Sequence, residues 1–125
     1  MSTLLLLEDD PADRAAIQRA ASDTEHCLVE AEDLDDFLNR MMQGQIELAI
    51  ISLTAVSEEA VSQFQRVLLR TPDTKILALA QGGDGLTTLL KAESLRAHHL
   101  LAKPIDRQQF LTILNVMFPL SAPQD

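Results

Sequence analysis

The chain has 125 residues, of which 46% are hydrophobic, so extensive disorder is excluded and one domain with a single core is expected. Its formal net charge of −9 leaves no basic patch for nonspecific binding to nucleic acid or to an anionic membrane. The single cysteine, Cys27, excludes an internal disulfide framework and is typical of a reducing cytoplasm, where we expect this protein. No stretch has the pattern of a signal peptide or of a membrane span.

The most distinctive stretch begins with four leucines at 4–7 and continues into Glu8, Asp9, Asp10 and Pro11. An apolar run of this length predicts a strand that is buried on both faces, as in a parallel sheet. Adjacent carboxylates repel one another, so they usually serve a cation, a helix cap or a helix N-terminus. We expect Asp10 to cap a helix whose first turn contains Pro11.

Further apolar runs and helical repeats alternate along the rest of the chain. Four more strands are predicted, at 27–31, 46–53, 75–80 and 99–102. Apolar residues at helical spacing predict helices after Asp10, from Asp33, from Thr54 or Ser57, around Leu86, and from Asp106. Cys27 is therefore expected to be a strand residue and not a nucleophile.

The five alternations of strand and helix contain no linker and no repeat, so they predict one α/β domain at 1–120, followed by a flexible tail at 121–125. Right-handed crossovers make the five-stranded sheet parallel, with helices on both of its faces. In such sheets, ligands bind at the carboxyl ends of the strands. The predicted site therefore consists of the residues at or just beyond those ends, which are Glu8, Asp9, Ser52, Ala80 and Lys103.

Two segments of the chain, Leu7-Glu8-Asp9-Asp10-Pro11 and Leu101-Ala102-Lys103-Pro104, resemble response-regulator receiver domains, the CheY-like family of two-component signalling. The resemblance extends over nearly the whole chain and implies a flavodoxin-like, doubly wound (βα)5 sheet with strand order 2-1-3-4-5. It implies that Glu8 and Asp9 match the acidic pair that holds Mg²⁺ in the family. It also implies that Lys103 matches the lysine that contacts the phosphoryl group, with a cis peptide bond before Pro104.

Three positions depart from the family's pattern. The third strand should end in the aspartate that accepts phosphate from a histidine kinase, but this chain has Ser52. The fourth strand should end in threonine or serine and ends in Ala80, and the aromatic residue expected three positions before Lys103 is Leu100. A serine is a weak nucleophile unless a base takes its proton, and it adds no negative charge to a metal site. The resemblance therefore implies a degenerate receiver that does not run the usual phosphate-dependent switch.

We expect a stand-alone, non-enzymatic signalling module whose output is contact with another protein. By resemblance, the contact surface comprises the fourth helix, the fifth strand and the fifth helix, including the residues from Leu86 to Leu100. No cofactor is required in this interpretation, and the module is a monomer or a homodimer. Two interpretations of Glu8 and Asp9 stay open: they bind Mg²⁺ loosely, or they form a structural ion pair with Lys103.

The alternative function is a conventional phosphorelay receiver in which the acceptor lies at a shifted residue, with Asp9 and Asp10 as the nearby carboxylates. Asp10 is expected to be a helix cap in preference to a third acidic ligand. Ser52 is a poor acceptor in this scheme, because a phosphoserine is a stable ester and not a labile acyl phosphate.

An enzymatic function has no supporting motif in the sequence. Ser52 lacks the Gly-x-Ser-x-Gly elbow of serine hydrolases. The glycine-rich loop at 82–85 lacks the Lys-Ser/Thr of a nucleotide-binding loop, so we expect a turn there. His98 and His99 are adjacent on a predicted strand, where their side chains point to opposite faces, so a shared metal is not expected.

Overall fold

The computed structural model describes residues 2–81 and 85–118. Its strands are β1 (Thr3–Leu7), β2 (Cys27–Glu30), β3 (Leu48–Ser52), β4 (Lys75–Gln81) and β5 (His99–Lys103). Its α-helices are α1 (Pro11–Ser22), α2 (Leu34–Gln43), α3 (Val61–Arg70), α4 (Gly85–Ser94) and α5 (Arg107–Met117). All strand pairs are parallel and the order is β2-β1-β3-β4-β5, which confirms the predicted (βα)5 fold and its strand order.

The side chains of the central strands alternate between two apolar clusters, one on each face of the sheet. On one face the cluster includes Phe37 of α2 and Phe64 of α3, whose rings lie 6.1 Å apart. On the other face it includes Ile17 of α1 and Phe110 of α5. Because both faces are covered, β1 and β3 are almost wholly apolar, as the sequence predicts for central parallel strands.

Three helices begin at the aspartates that the sequence marks as caps. The carboxylates of Asp10, Asp33 and Asp106 each accept a backbone N–H from the first helical turn, at 2.8, 2.8 and 2.9 Å. These bonds satisfy donors that have no partner within the helix. At the other end of α2, Gly44 has a φ of +89°, a conformation that favours glycine, and it ends the helix.

The start of α3 differs from the prediction. Neither Thr54 nor Ser57 caps this helix, and two short 3₁₀ turns, Leu53–Ala55 and Glu58–Ala60, lead into it. Val56, between these turns, is fully buried and packs in the same core cluster as Phe64 of α3. The Thr54 hydroxyl is used elsewhere, at the carboxyl end of β3.

Several strand ends are shifted by one or two residues from the predicted bounds. The third strand is shorter than 46–53, because Leu53 already belongs to a 3₁₀ turn. The fourth and fifth strands are longer and include Gln81 and Lys103. Ala80 is consequently not the last residue of β4; it pairs with Ala102, and Gln81 pairs with Lys103.

The apolar residues that predict α4 do not face the core. The side chains of Leu86, Leu89 and Leu90 are 69%, 57% and 54% exposed, whereas Ala92 and Leu95 are buried. These three leucines lie at positions i, i+3 and i+4, so they share one helix face. The helix is correctly predicted, and its leucine face is turned toward solvent.

Two further side chains, those of Met42 and Cys27, are exposed. Met41 on α2 is buried, but its neighbour Met42 is exposed. Cys27 lies in a strand as predicted, but β2 is at the edge of the sheet and the thiol side chain is exposed.

No helix in the described part of the chain is long and apolar enough to cross a membrane. The predicted turn at 82–85 lies mostly outside the described residues, and the predicted tail at 121–125 lies wholly outside them.

Candidate functional site

The parallel arrangement brings three polar residues together at the carboxyl edge of the sheet. Glu8 directly follows β1, Ser52 ends β3 and Lys103 ends β5. Glu8 and Ser52 are buried, and the side chain of Lys103 is only 5% exposed. All three were predicted at this edge, and in the structure Lys103 contacts both Glu8 and Ser52.

Lys103 is the centre of this cluster. Its Nζ lies 2.8 Å from Oε1 of Glu8 and donates hydrogen bonds to Oε2 of Glu8 at 3.0 Å and to Oγ of Ser52 at 2.8 Å. The geometry of a hydrogen bond is met only for Oε2. Oε1 forms an ion-pair contact with the same ammonium and accepts no hydrogen bond. One ammonium group therefore joins the ends of β1, β3 and β5.

The carboxylate of Glu8 is enclosed by protein. Its Oε2 also accepts a hydrogen bond from the backbone N–H of Asp10 at 2.9 Å. Burial raises the pKa of Glu8 above its ordinary value of 4.5, and the contacts with Lys103 and with the Asp10 amide oppose the rise without cancelling it. Removing one partner of a buried ion pair typically costs about 3–5 kcal/mol, because the other charge is left without compensation.

A second set of contacts leads from Ser52 to the exposed acidic residue. The hydroxyl oxygens of Ser52 and Thr54 are 2.9 Å apart, and the Thr54 hydroxyl donates to Oδ1 of Asp9 at 3.4 Å. Thr54 was not predicted as a site residue, because its position in the sequence suggested only a helix cap. Its position two residues after a strand that ends at the site was the signal that could have identified it.

The next acidic residues of the chain have structural roles. Asp10 caps α1, as predicted, and does not contact Lys103 through its carboxylate. Asp13 was not predicted: it is buried, and its Oδ1 accepts the backbone N–H of Ile105 at 3.1 Å. Asp13 precedes the buried Ile17 by four residues, so helical spacing alone places it on the inner face of α1.

The remaining predicted positions contribute little polar chemistry. Ala80 is buried in β4 and brings no hydroxyl to the edge, and Leu100 on β5 is 37% exposed. The Lys103–Pro104 peptide bond is cis, as expected. A cavity of about 250 Å³ lies beside it, and Gln81, one residue beyond Ala80, lines this cavity together with Asp10 and Asp13.

Ser52 and Lys103 have the atoms of a serine–lysine nucleophile pair, but the geometry does not support that chemistry. A lysine activates a serine only as a neutral amine with a free lone pair. Here the ammonium is paired with the Glu8 carboxylate and donates to Ser52. The serine is also fully buried.

No protein-family model matches the sequence of this chain, and no curated protein sequence matches it. Solved structures match it closely in shape. The structural alignment with a response regulator from Thermotoga maritima covers 94% of this chain and 97% of that protein's chain, with a TM-score of 0.80 and 15% sequence identity. The chain has the receiver-domain fold. At this level of identity, the match establishes the fold alone.

Two further receiver domains show the same similarity. The signal receiver domain of an HD-domain protein from Pseudomonas fluorescens Pf-5 is 21% identical, with a TM-score of 0.80 over 93% of this chain and 85% of its own. The receiver domain of a sensor histidine kinase from Pseudomonas aeruginosa PAO1 is 15% identical, with a TM-score of 0.79 over 93% of this chain and 96% of its own. That neighbour has a magnesium ion coordinated in its active-site cleft.

The residues of this receiver fold do not form a good magnesium site. Mg²⁺ is usually bound through one or two carboxylates, waters and phosphate oxygens in near-ideal octahedral geometry. Glu8 already accepts from Lys103 and from a backbone amide, and Ser52 offers a neutral hydroxyl that is hydrogen-bonded. Within residues 2–81 and 85–118, no three His, Cys, Asp or Glu side chains are grouped so that they could hold a metal ion.

Replacement of Glu8 by glutamine tests the direction of its pKa. Because the folded pKa is raised, the contribution of Glu8 to stability is fully present below its unfolded pKa and is lost as pH rises through the folded value. We therefore expect the unfolding free energy of the wild type, minus that of Glu8→Gln, to fall between pH 4 and pH 7, as measured by urea denaturation across this range. A difference that grows with pH would show that the pKa is lowered instead.

Proposed function

We propose that this chain is a stand-alone receiver-type signalling module of the two-component response-regulator family, which acts by protein–protein contact independently of phosphorylation. We further propose that it works in the cytoplasm, without enzymatic activity and without a required cofactor. The observation that carries the proposal is the state of Ser52, at the position where the family has its acceptor aspartate. Its hydroxyl is fully buried and is held between Lys103 at 2.8 Å and Thr54 at 2.9 Å.

Phosphoryl transfer requires features that this edge of the sheet lacks. Its catalysis depends on positioning and on stabilisation of charge on the phosphoryl oxygens, usually with a divalent metal. Ser52 has no base to take its proton, and Ala80 has no hydroxyl for a phosphoryl oxygen. Leu100 is an aliphatic side chain at the position where the family has its switch aromatic, so the usual coupling between pocket and surface is also missing.

The shifted-acceptor alternative gains no support from the neighbouring carboxylates. Asp10 already accepts backbone N–H groups of α1, at 2.8 and 3.5 Å. Asp9 is exposed and accepts from Thr54. The proposal therefore favours a module without a phosphoacceptor, and the phosphodonor experiment below distinguishes the two functions.

The exposed leucines of α4 support the proposed mode of action. Leu86, Leu89 and Leu90 form a solvent-facing apolar stripe, and contiguous exposed apolar patches mark interaction surfaces in many proteins. Nearby in the chain, Leu100 of β5 lines a groove of about 380 Å³ that α5 also borders and that has no charged lining residue. On a chain with a net charge of −9, these two uncharged surfaces are the ones that we propose for a protein partner.

Exposure to a small-molecule phosphodonor with Mg²⁺ tests whether the module accepts phosphate. We expect intact-mass spectra of the wild type to show no acid-stable or labile adduct of about 80 Da, because Ser52 is buried and has no base to take its proton. The double variant Ser52→Asp/Ala80→Thr supplies both missing groups. A carboxylate at position 52 would also be a second acceptor for Lys103, which now pairs with Glu8, so we expect this variant to acquire the adduct and a measurable affinity for Mg²⁺. A labile adduct on the wild type, mapped to Asp9 or Asp10, would favour the alternative function. If metal titration of the double variant is no tighter than that of the wild type, the assignment of these strand ends is wrong.

Polar replacement of the α4 stripe tests the proposed contact surface. We expect Leu86→Ser/Leu89→Ser/Leu90→Ser to lose the proteins that the wild type retains from a native cell extract, because the apolar surface is removed. Leu69→Ser on α3 is the matched control, since Leu69 is 68% exposed and lies on a different helix. The free energies of unfolding of both variants should lie within about 1 kcal/mol of the wild-type value, because only exposed side chains change. Equal retention of the same proteins by all three would place the contact surface elsewhere.

A further inference from the structure

The direction of the hydrogen bonds around Ser52 follows from the chemistry of the groups. An ammonium group only donates, so the Ser52 oxygen must accept from Lys103. The Thr54 hydroxyl donates its single proton to Oδ1 of Asp9, so the Ser52 proton points to Thr54. The protons are therefore ordered in one direction, from Lys103 to Asp9.

This order leaves few free oxygens for a metal at the end of β1. Both oxygens of Glu8 lie within 3.0 Å of the Lys103 ammonium, and Oε2 also accepts the amide of Asp10. Oδ1 of Asp9 receives the Thr54 hydroxyl. Mg²⁺ would have to come within about 2.1 Å of such oxygens, far inside the distance at which the ammonium now sits.

Displacing the ammonium is also unfavourable for the lysine itself. Its side chain is only 5% exposed, and the Glu8 side chain is completely inaccessible. A cation that took Glu8 away from Lys103 would leave a buried positive charge beside a second positive charge. The Lys103 ammonium and a divalent metal ion therefore compete for the carboxylate of Glu8. The ammonium has the advantage, because it is part of the chain and is always present.

The side chains of Glu8, Asp9, Ser52 and Lys103 form a cleft at the carboxyl edge of the sheet. We propose that the Lys103 ammonium occupies the cation position of this cleft. Ser52 and Thr54 extend its hydrogen bonding to Asp9, so that divalent metals are excluded. This inference deepens the proposed function, on which it rests, by naming what holds the cleft in a single state. Thr54 is a positioning residue in this arrangement, because it acts on Asp9 and not on any bound ligand.

Binding of Mn²⁺, followed by electron paramagnetic resonance with Mg²⁺ as competitor, tests this inference on the whole chain. We expect no saturable site on the wild type at concentrations up to about 5 mM, a range in which a simple carboxylate pair begins to bind. Lys103→Met removes the ammonium but keeps both carboxylates, and we expect it to bind Mn²⁺ at least about tenfold more tightly than the wild type. The added replacement Asp9→Asn should abolish that gain.

A control separates this local effect from a change in overall charge. Lys91→Met on α4 makes the same change in net charge at a residue that is not part of the Lys103 cluster, and we expect it to bind no more Mn²⁺ than the wild type. If Lys103→Met does not fold, Lys103→Gln gives the same comparison with a polar side chain.

Two results would overturn the inference. Saturable Mn²⁺ binding by the wild type would show that the ammonium does not exclude metal. Absence of binding by both folded Lys103 variants would show that Lys103 is not the cause of the exclusion. Failure of this inference is distinguishable from failure of the proposed function: a wild type that binds Mn²⁺ but gains no phosphate adduct contradicts only the former.

Discussion

The buried contact between Lys103 and Glu8 joins β5 to the end of β1 across the carboxyl edge of the sheet. Lys103 Nζ lies 2.8 Å from Glu8 Oε1, and the same ammonium holds Ser52 at the end of β3. Charges buried this deeply are tolerated only when they are paired and hydrogen-bonded. The state of the rest of the cleft depends on this contact, because it determines which oxygens are available to a metal or a phosphoryl group.

The fold and the members of the cleft were largely predictable because they depend on local chemistry and on topology. Runs of apolar residues identified the buried strands, and aspartate caps identified the starts of three helices. Parallel topology then required Glu8, Ser52 and Lys103 to lie at one edge. The sequence left an ion pair and loose metal binding as open alternatives, and the structure contains the ion pair.

The features that were not predicted depend on how segments pack in three dimensions. The start of α3 depends on buried Val56 and on the use of the Thr54 hydroxyl at the site, neither of which local propensity registers. The outward direction of the α4 leucines does not follow from their spacing, since helical periodicity identifies an apolar face but not what covers it; only the family resemblance placed this helix on a contact surface. These are the parts of the chain to which we assign the hydrogen bonding of Thr54 to Asp9 and the contact with a partner.

The most direct test of the central claim is a crystal structure of the wild type soaked with beryllofluoride and a large excess of magnesium. The account predicts that Lys103 Nζ stays within hydrogen-bond distance of both Glu8 and Ser52, with no ordered metal or fluoride adduct in the cleft. An ordered beryllofluoride adduct on Ser52, or a magnesium ion coordinated by Glu8 and Asp9 with the lysine displaced, would contradict it.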